Sequence, residues 1–268
     1  MWHDILVRRI EDLEVTRDFI ALWWLGGAGF VLKSLNSIIY IDPYFGSPRS
    51  PDWLRLIAVP IRIEDVRKVD VVLSTHEHED HCDLDFIKHA CNDLGAIFAG
   101  PDSSISRARA YGIRSDRMRA LKPHETLTLK DLKITALPAH DPGSKEALTY
   151  ILEVNGFAVF HSGDTLYFEE LKDIGDKWSV DIALLSLGRN PPGKRFYMSP
   201  CDVVSAARDL RCKVVIPMHW DIWKRTRENP NLVKIIAKEW GLNLEVVILD
   251  LGDRFEYYRD GTYRVHYL

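Results

Sequence analysis

The chain has no apolar run approaching the roughly 18 residues needed to cross a bilayer. It has no Cys-x-x-Cys pair and no excess of basic charge, with 35 Lys and Arg set against 39 Asp and Glu in 268 residues. Each absence removes a class of protein. The missing apolar run leaves no helix to span a membrane. Four cysteines, Cys82, Cys91, Cys201 and Cys212, are too few to staple a domain of this size and read as free thiols in a reducing compartment. A net charge of −4 argues against nucleic acid as the partner, because proteins that coat it carry a strong basic excess. Arg107, Arg109, Arg114, Arg117 and Arg119 crowd one segment and read as a solvated helix face. Met1 to Asp12 carries charges throughout and has no continuous apolar stretch of a secretory leader. The expectation is therefore a soluble cytoplasmic protein. Its composition is compatible with a homo-oligomer and specifies none.

What is present is a 46% hydrophobic chain, long enough to bury a large core. No low-complexity linker or repeat interrupts it, so residues 1–268 read as one domain. Short β-rich runs fall at about Ile20 to Leu25, Phe30 to Lys33, Ser37 to Asp42, Val71 to Leu73 and Ile97 to Ala99. Others follow at Leu132 to Leu137, Thr149 to Val154, Ala158 to His161, Ile182 to Ser186, Val214 to Pro217, Leu244 to Leu249 and Arg254 to Tyr258. Helical patterns lie at Leu84 to Cys91, Ser103 to Tyr111, Tyr167 to Ile174, Pro200 to Leu210 and Pro230 to Trp240. The irregular stretch Pro43 to Pro60, rich in proline and aromatics, is long for a connection and reads as a lid. Trp23 and Trp24 read as core packing. Two mixed β/α halves with no linker predict an α/β protein: two sheets face to face, with helices on the outer faces.

Ser74-Thr75-His76-Glu77-His78-Glu79-Asp80-His81 directly follows the apolar run Val71-Val72-Leu73. Imidazole and carboxylate groups suit zinc, manganese or iron, and a turn leaving a strand can aim alternate side chains at one pocket. The same alternation turns Glu77 and Glu79 away from it.

His76-x-His78-x-Asp80-His81 resembles the metal-binding signature of the metallo-β-lactamase superfamily. Further pieces of that pattern follow in order: Pro138-Ala139-His140-Asp141, Ser162-Gly163-Asp164-Thr165 and Ile216-Pro217-Met218-His219. Tyr40-Ile41-Asp42-Pro43 resembles the strand-end aspartate that braces the site. The resemblance implies the four-layer αββα sandwich of that superfamily and two divalent metal ions, manganese or zinc, with iron also accepted. His76, His78 and His140 would hold one ion; Asp80, His81 and His219 the other; Asp164 would lie between them. Water held between two such cations loses its proton near neutral pH, and the cations polarise the scissile group, so hydrolysis is the implied chemistry. Asp80 would also orient the nucleophile.

The flanks narrow the resemblance. Trp23-Trp24-Leu25-Gly26, Phe160 to Asp164, Leu187 to Gly193, Met198 to Asp202 and Ile216 to Trp223 are together similar to the L-ascorbate-6-phosphate lactonase family. That likeness implies metal-dependent opening of a phosphorylated sugar-acid lactone, a small-molecule substrate. The chain departs from those lactonases in being shorter, in placing His140 where they carry a non-histidine residue, and in having Arg189 and Pro192 in the Asn-Pro loop. His161 is a candidate proton donor to the leaving alkoxide. Asp221 is placed to accept the distal N–H of an imidazole ligand. Arg189, Lys194 and Arg195 surround the Pro-Gly loop and are candidate grips for a phosphate or carboxylate.

Three other functions compete. A phosphodiesterase acting on nucleic acid or phospholipid-type substrates would use the same ligands, and the arginine-rich segment keeps it in view. A di-iron redox protein on this fold would replace the second histidine by glutamate and add a flavin domain, whereas His78 is present. A non-catalytic scaffold would have lost ligands that are all here.

Overall fold

Strand β1 (Phe19–Gly26) sorts its side chains by parity. Ile20, Leu22 and Trp24 enter one hydrophobic core, while Ala21, Trp23 and Leu25 enter another. A strand buried on both faces must lie inside a layered molecule. The computed structural model, which describes residues 2–46 and 53–268, shows those layers.

The first sheet takes β1, β2 (Gly29–Lys33), β3 (Ile38–Ile41), β4 (Val71–Leu73), β5 (Ile97–Gly100) and β6 (Met118–Ala120). The second takes β7 (Thr126–Leu129), β8 (Leu132–Pro138), β9 (Leu148–Val154), β10 (Phe157–His161), β11 (Ile182–Ser186), β12 (Val214–Met218) and β13 (Glu245–Val246). The chain then returns to the first sheet with β14 (Arg254–Tyr258) and β15 (Tyr263–His266), β14 pairing antiparallel with β1. The strand orders are β15-β14-β1-β2-β3-β4-β5-β6 and β13-β12-β11-β10-β9-β8-β7. Both sheets are mixed, with parallel ladders over β3 to β6 and over β10 to β13.

Three cores separate four layers. The middle one joins the sheets, bringing Leu22, Phe30 and Ile41 together with Ile134, Tyr150 and Ile216. On the outer face of the first sheet, Leu6, Val7 and Ile10 of α1 (Trp2–Glu11), Phe86 and Ile87 of α2 (Leu84–Lys88) and Ile105 and Ala108 of α3 (Asp102–Ala110) close a second. On the far side, α4 (Leu171–Lys177), α5 (Pro200–Asp209) and α6 (Asn231–Glu239) cover Ile151, Phe160, Leu185 and Val215. Each such side chain contributes about 1.5–3 kcal/mol on full burial, so all three interfaces weigh in stability. The expected αββα arrangement is the observed one, and Trp23 and Trp24 are core residues.

Some local expectations shift. The helix expected over Tyr167 to Ile174 starts only at Leu171, because the chain before it turns more tightly, Leu171 donating to the Phe168 carbonyl and Lys172 to that of Glu169. The run expected over Leu244 to Leu249 pairs as a strand only at Glu245–Val246. Residues 47–52 of the expected lid lie outside the described residues. Among the described residues no helix is long and apolar enough to cross a membrane. All four cysteines are free.

Candidate metal centre

The candidate side chains all emerge where strands end along one edge of the sandwich: Asp42 after β3, His76 to His81 after β4, Asp141 after β8, Asp164 after β10 and His219 after β12. Asp42 and His219 take positive φ values of 44° and 67°, a region that non-glycine residues enter rarely and mostly at functional sites. Backbone bonds hold both there: the Asp42 amide donates to the Leu73 carbonyl (2.8 Å) and the His219 amide to the Gly27 carbonyl (2.9 Å).

Three groups of ligand-type atoms converge: His76, His78 and Asp141; His76, His81 and Asp164; Asp80, His81 and His219. Asp164 stands between the ends of the cluster. Its Oδ2 lies 3.4 Å from His81 Nε2 and 3.6 Å from His219 Nε2, and Asp80 Oδ2 lies 3.5 Å from His219 Nε2. At the other end Asp141 Oδ2 approaches His76 Nε2 to 3.7 Å. Asp42 accepts from the Thr75 amide (2.7 Å), the Thr75 hydroxyl (2.6 Å) and His81 Nδ1 (2.7 Å). With its Nδ1 hydrogen-bonded to Asp42, His81 aims Nε2 at the cluster, the arrangement that orients a metal-binding imidazole. The Trp223 indole N–H donates to Asp80 Oδ2 (2.7 Å) and fixes that carboxylate.

The electrostatics favour a cation. Burial works against charge on Asp80 and Asp164, yet the neighbouring His81 and His219 hold both carboxyls well below the usual range. Burial, followed by the Asp164 charge, pushes Asp141 up to about 6. Burial drives His76 down to about 3, with His81 adding to the shift, so its ring is neutral near pH 7. His81 Nε2, both ring nitrogens of His219 and Asp141 Oδ2 are buried without a hydrogen-bond partner. Native structures rarely leave such atoms unpaired, and divalent cations among these imidazoles and carboxylates would take up His81 Nε2, His219 Nε2 and Asp141 Oδ2. The donor set fits the group.

A family profile for the beta-lactamase superfamily domain matches residues 38–220, a span that holds every side chain of the cluster, from Asp42 near its start to His219 near its close. The chain belongs to the beta-lactamase superfamily. With its grouped imidazoles and carboxylates it is a metal-dependent hydrolase of the metallo-β-lactamase fold. It is 27% identical over 280 residues to the probable L-ascorbate-6-phosphate lactonase UlaG of Salmonella heidelberg, covering 88% of this chain and 79% of that protein. Among solved structures it resembles Igni18, a metallo hydrolase of Ignicoccus hospitalis, with a TM-score of 0.71 at 25% identity over 89% of this chain and 98% of that one. The isothiocyanate hydrolase from Delia radicum gut bacteria shares the fold, with a TM-score of 0.70 at 19% identity over 87% and 97%.

Within this superfamily frame several expected residues sit elsewhere. His140 is exposed and outside the cluster. Its amide donates to the Thr165 hydroxyl (2.8 Å) and its carbonyl accepts from Leu166, so its ring turns outward to stack on Phe168 at 4.4 Å. The next residue, Asp141, faces inward instead. His161 is fully buried, donates from Nε2 to the Ala28 carbonyl (2.9 Å) and accepts the Gly163 amide at Nδ1 (3.2 Å). It clasps the two sheets and has no proton to spare for a leaving group. Asp221 accepts from the Gly27 amide (3.1 Å), not from an imidazole, and burial pushes it up to about 6. It is linked to His219 through Gly27, whose carbonyl receives the His219 amide.

The cleft over the cluster holds about 510 Å³ and is lined in part by His78, Asp80, Asp141, Asp164 and Arg189. Lys194 and Arg195 are exposed and lie outside that lining; Arg195 pairs with Asp202 (2.7 Å), the residue that closes the capping box of α5. Glu77 points away, accepting from Ser103 and Ser144, whereas Glu79 lines the cleft. Of the arginine-rich segment, Arg107 donates to the Glu77 carbonyl, Arg114 pairs with Asp116, Arg117 donates to the Gly95 carbonyl and Arg119 to the Met118 carbonyl.

Proposed function

We propose that the protein opens a lactone or related ester of a small anionic substrate, using two divalent metal ions of the manganese or zinc type. His76, His78 and Asp141 would hold one ion and Asp80, His81 and His219 the other, with Asp164 within reach of both groups. The observation that carries this reading is the position of Asp164, whose carboxylate shares one ligand group with His76 and His81 and approaches His219 as well. Divalent ions bound there would polarise a scissile carbonyl and make water acidic enough to attack near neutral pH.

The protein's own residues do the rest. Asp80, kept ionised and fixed by Trp223, orients the attacking water by accepting its hydrogen bond. Asp42 and Thr75 hold the His81 ring in one orientation. Arg189, on the cleft wall, receives the anionic group of the substrate, since a guanidinium offers two parallel donors to phosphate or carboxylate.

The test is Asp80→Asn. Wild type reloaded with manganese or zinc is expected to carry two metal equivalents, and the replete variant is expected to lose about 10² to 10⁴ in turnover on a lactone panel. A firm ceiling of one equivalent in wild type, or near-normal turnover in the replete variant, overturns this assignment.

A further inference from the structure

The outer half of the cleft is chemically unlike its floor. The lining carries five aromatic rings and two arginines beside Glu79 and the carboxylates of the cluster, and its one aliphatic hydroxyl among the described residues is that of Thr226. Trp53 and Phe196 keep 37% and 36% of their surface exposed at the mouth, so both rings are open to a bound group.

These rings sit on braced backbone. Asn190 Oδ1 accepts the amides of Phe196 (2.7 Å) and Tyr197 (3.0 Å), and its Nδ2 donates to the Tyr197 carbonyl (2.8 Å). The Tyr197 ring then stacks over the His219 imidazole at 5.5 Å. Across the cleft, the Leu56 amide donates to the Ile222 carbonyl and the Lys224 amide to the Leu54 carbonyl, which ties the Trp53 segment to that of Trp223. The two indoles meet edge to face at 5.7 Å. The Arg55 guanidinium, donating to the Tyr44 and Gly46 carbonyls, pins the same segment from below. Preorganised rings of this kind bind without an ordering cost.

The arginines face the same space. Arg225 lies 5.9 Å from the Trp53 ring centroid, and the Arg189 amide donates to the Thr226 carbonyl (2.8 Å), which brings the two loops together. Several surface arginines elsewhere in the molecule pair with carboxylates, as Arg8 does with Asp4 and Arg62 with Asp65. Among the described residues, no carboxylate pairs with Arg189 or Arg225.

We infer that the substrate carries a flat apolar group, an aryl ring or similar conjugated system, beside its anionic group, so that the ring lies among Trp53, Phe196 and Tyr197 and the anion meets Arg189 and Arg225. This rests on the reading of the cleft as the hydrolytic centre and replaces a sugar with an aryl group as the part recognised.

Binding tests it without turnover. The probes are 2-naphthalenesulfonate, cyclohexanesulfonate and the neutral naphthalene-2-sulfonamide, titrated calorimetrically into metal-loaded protein; sulfonate is a poor metal ligand, so the floor of the cleft contributes little. The naphthalene anion is expected to bind about tenfold more tightly than either comparison compound. Phe196→Ala and Trp53→Ala should each cut its affinity about threefold to tenfold, the worth of an aromatic contact. Arg225→Gln should reduce the preference for the anion over the sulfonamide while leaving the preference for the aryl ring. Equal binding of the aromatic and alicyclic anions, or affinities unmoved in all three variants, overturns the inference. Turnover of a panel of neutral and phosphorylated lactones and aryl esters by the same metal-loaded wild-type preparation is scored separately. Lactone hydrolysis without aryl preference removes this inference alone, whereas aryl-anion binding without hydrolysis of any ester removes only the reading on which it rests.

Discussion

At the scale of single residues, the boundary between ligand and bystander falls between His140 and Asp141. His140 is held outward by backbone bonds to Thr165 and Leu166, and Asp141 turns in toward His76. Asp141→Ala is therefore expected to weaken metal binding by at least tenfold to a hundredfold, whereas His140→Ala keeps wild-type affinity and loses only its packing on Phe168. Titration against a competing chelator checks both. The reverse ranking would restore His140 as a ligand. Most of the cluster was legible in the spacing of His76, His78, Asp80 and His81, because a short run after an apolar strand brings its own side chains together. The choice between 140 and 141 was not, since it is made by bonds from a loop distant in sequence. The roles first read for His161 and Asp221 fail for the same reason: their partners, Ala28 and Gly27, belong to the other sheet.

At the scale of elements, α4 and α5 approach so closely that a Cβ on Gly175 would lie 2.2 Å from the Asp209 carbonyl oxygen and 2.7 Å from the Leu210 carbonyl carbon. Neither atom belongs to a side chain that can swing aside. Gly175→Ala is expected to destabilise the protein by about 1–3 kcal/mol, as overpacking does, with metal content unchanged because these helices cover the sheet face remote from the cluster. Urea unfolding and elemental analysis check the two halves of that expectation. Most strands were visible as apolar runs, because burial on both faces leaves no polar alternation to confuse the pattern. Elements at the margins were harder. Helix α1 hides among charges, although Leu6, Val7 and Ile10 form a helical stripe and Asp4 and Arg8 pair one turn apart. Strand β15 follows Asp260-Gly261, a hairpin signal, and β7 has no fully buried side chain to mark it.

At the scale of the whole molecule, the β14–β15 hairpin is fastened by charge. Glu256 accepts from the Tyr258 hydroxyl (2.6 Å) and from His266 Nε2 (2.9 Å), and pairs with Arg254 at 3.0 Å. Burial opposes its ionisation, but these partners outweigh burial and hold the carboxyl below its ordinary 4.5. The folded state thus binds fewer protons than the unfolded chain in that range, so the contribution is complete above about pH 4.5 and is lost as the pH falls through the lowered value. Wild type should exceed Glu256→Gln in thermal stability near neutral pH, and the gap should close as the pH falls below 4.5 and through the lowered value; a gap that persists in acid would assign the effect to packing. The same hairpin fixes an order of events. Because β1 pairs with β14 in the register Phe19↔Tyr258, an early strand made of Phe-Ile-Ala-Leu-Trp-Trp-Leu-Gly keeps one edge open on the ribosome until nearly the whole domain has been translated. Pairings so far apart in the chain form slowly, and an open edge this apolar is prone to join a neighbouring chain. Nascent copies of this protein are thus exposed to aggregation until the β14 segment emerges.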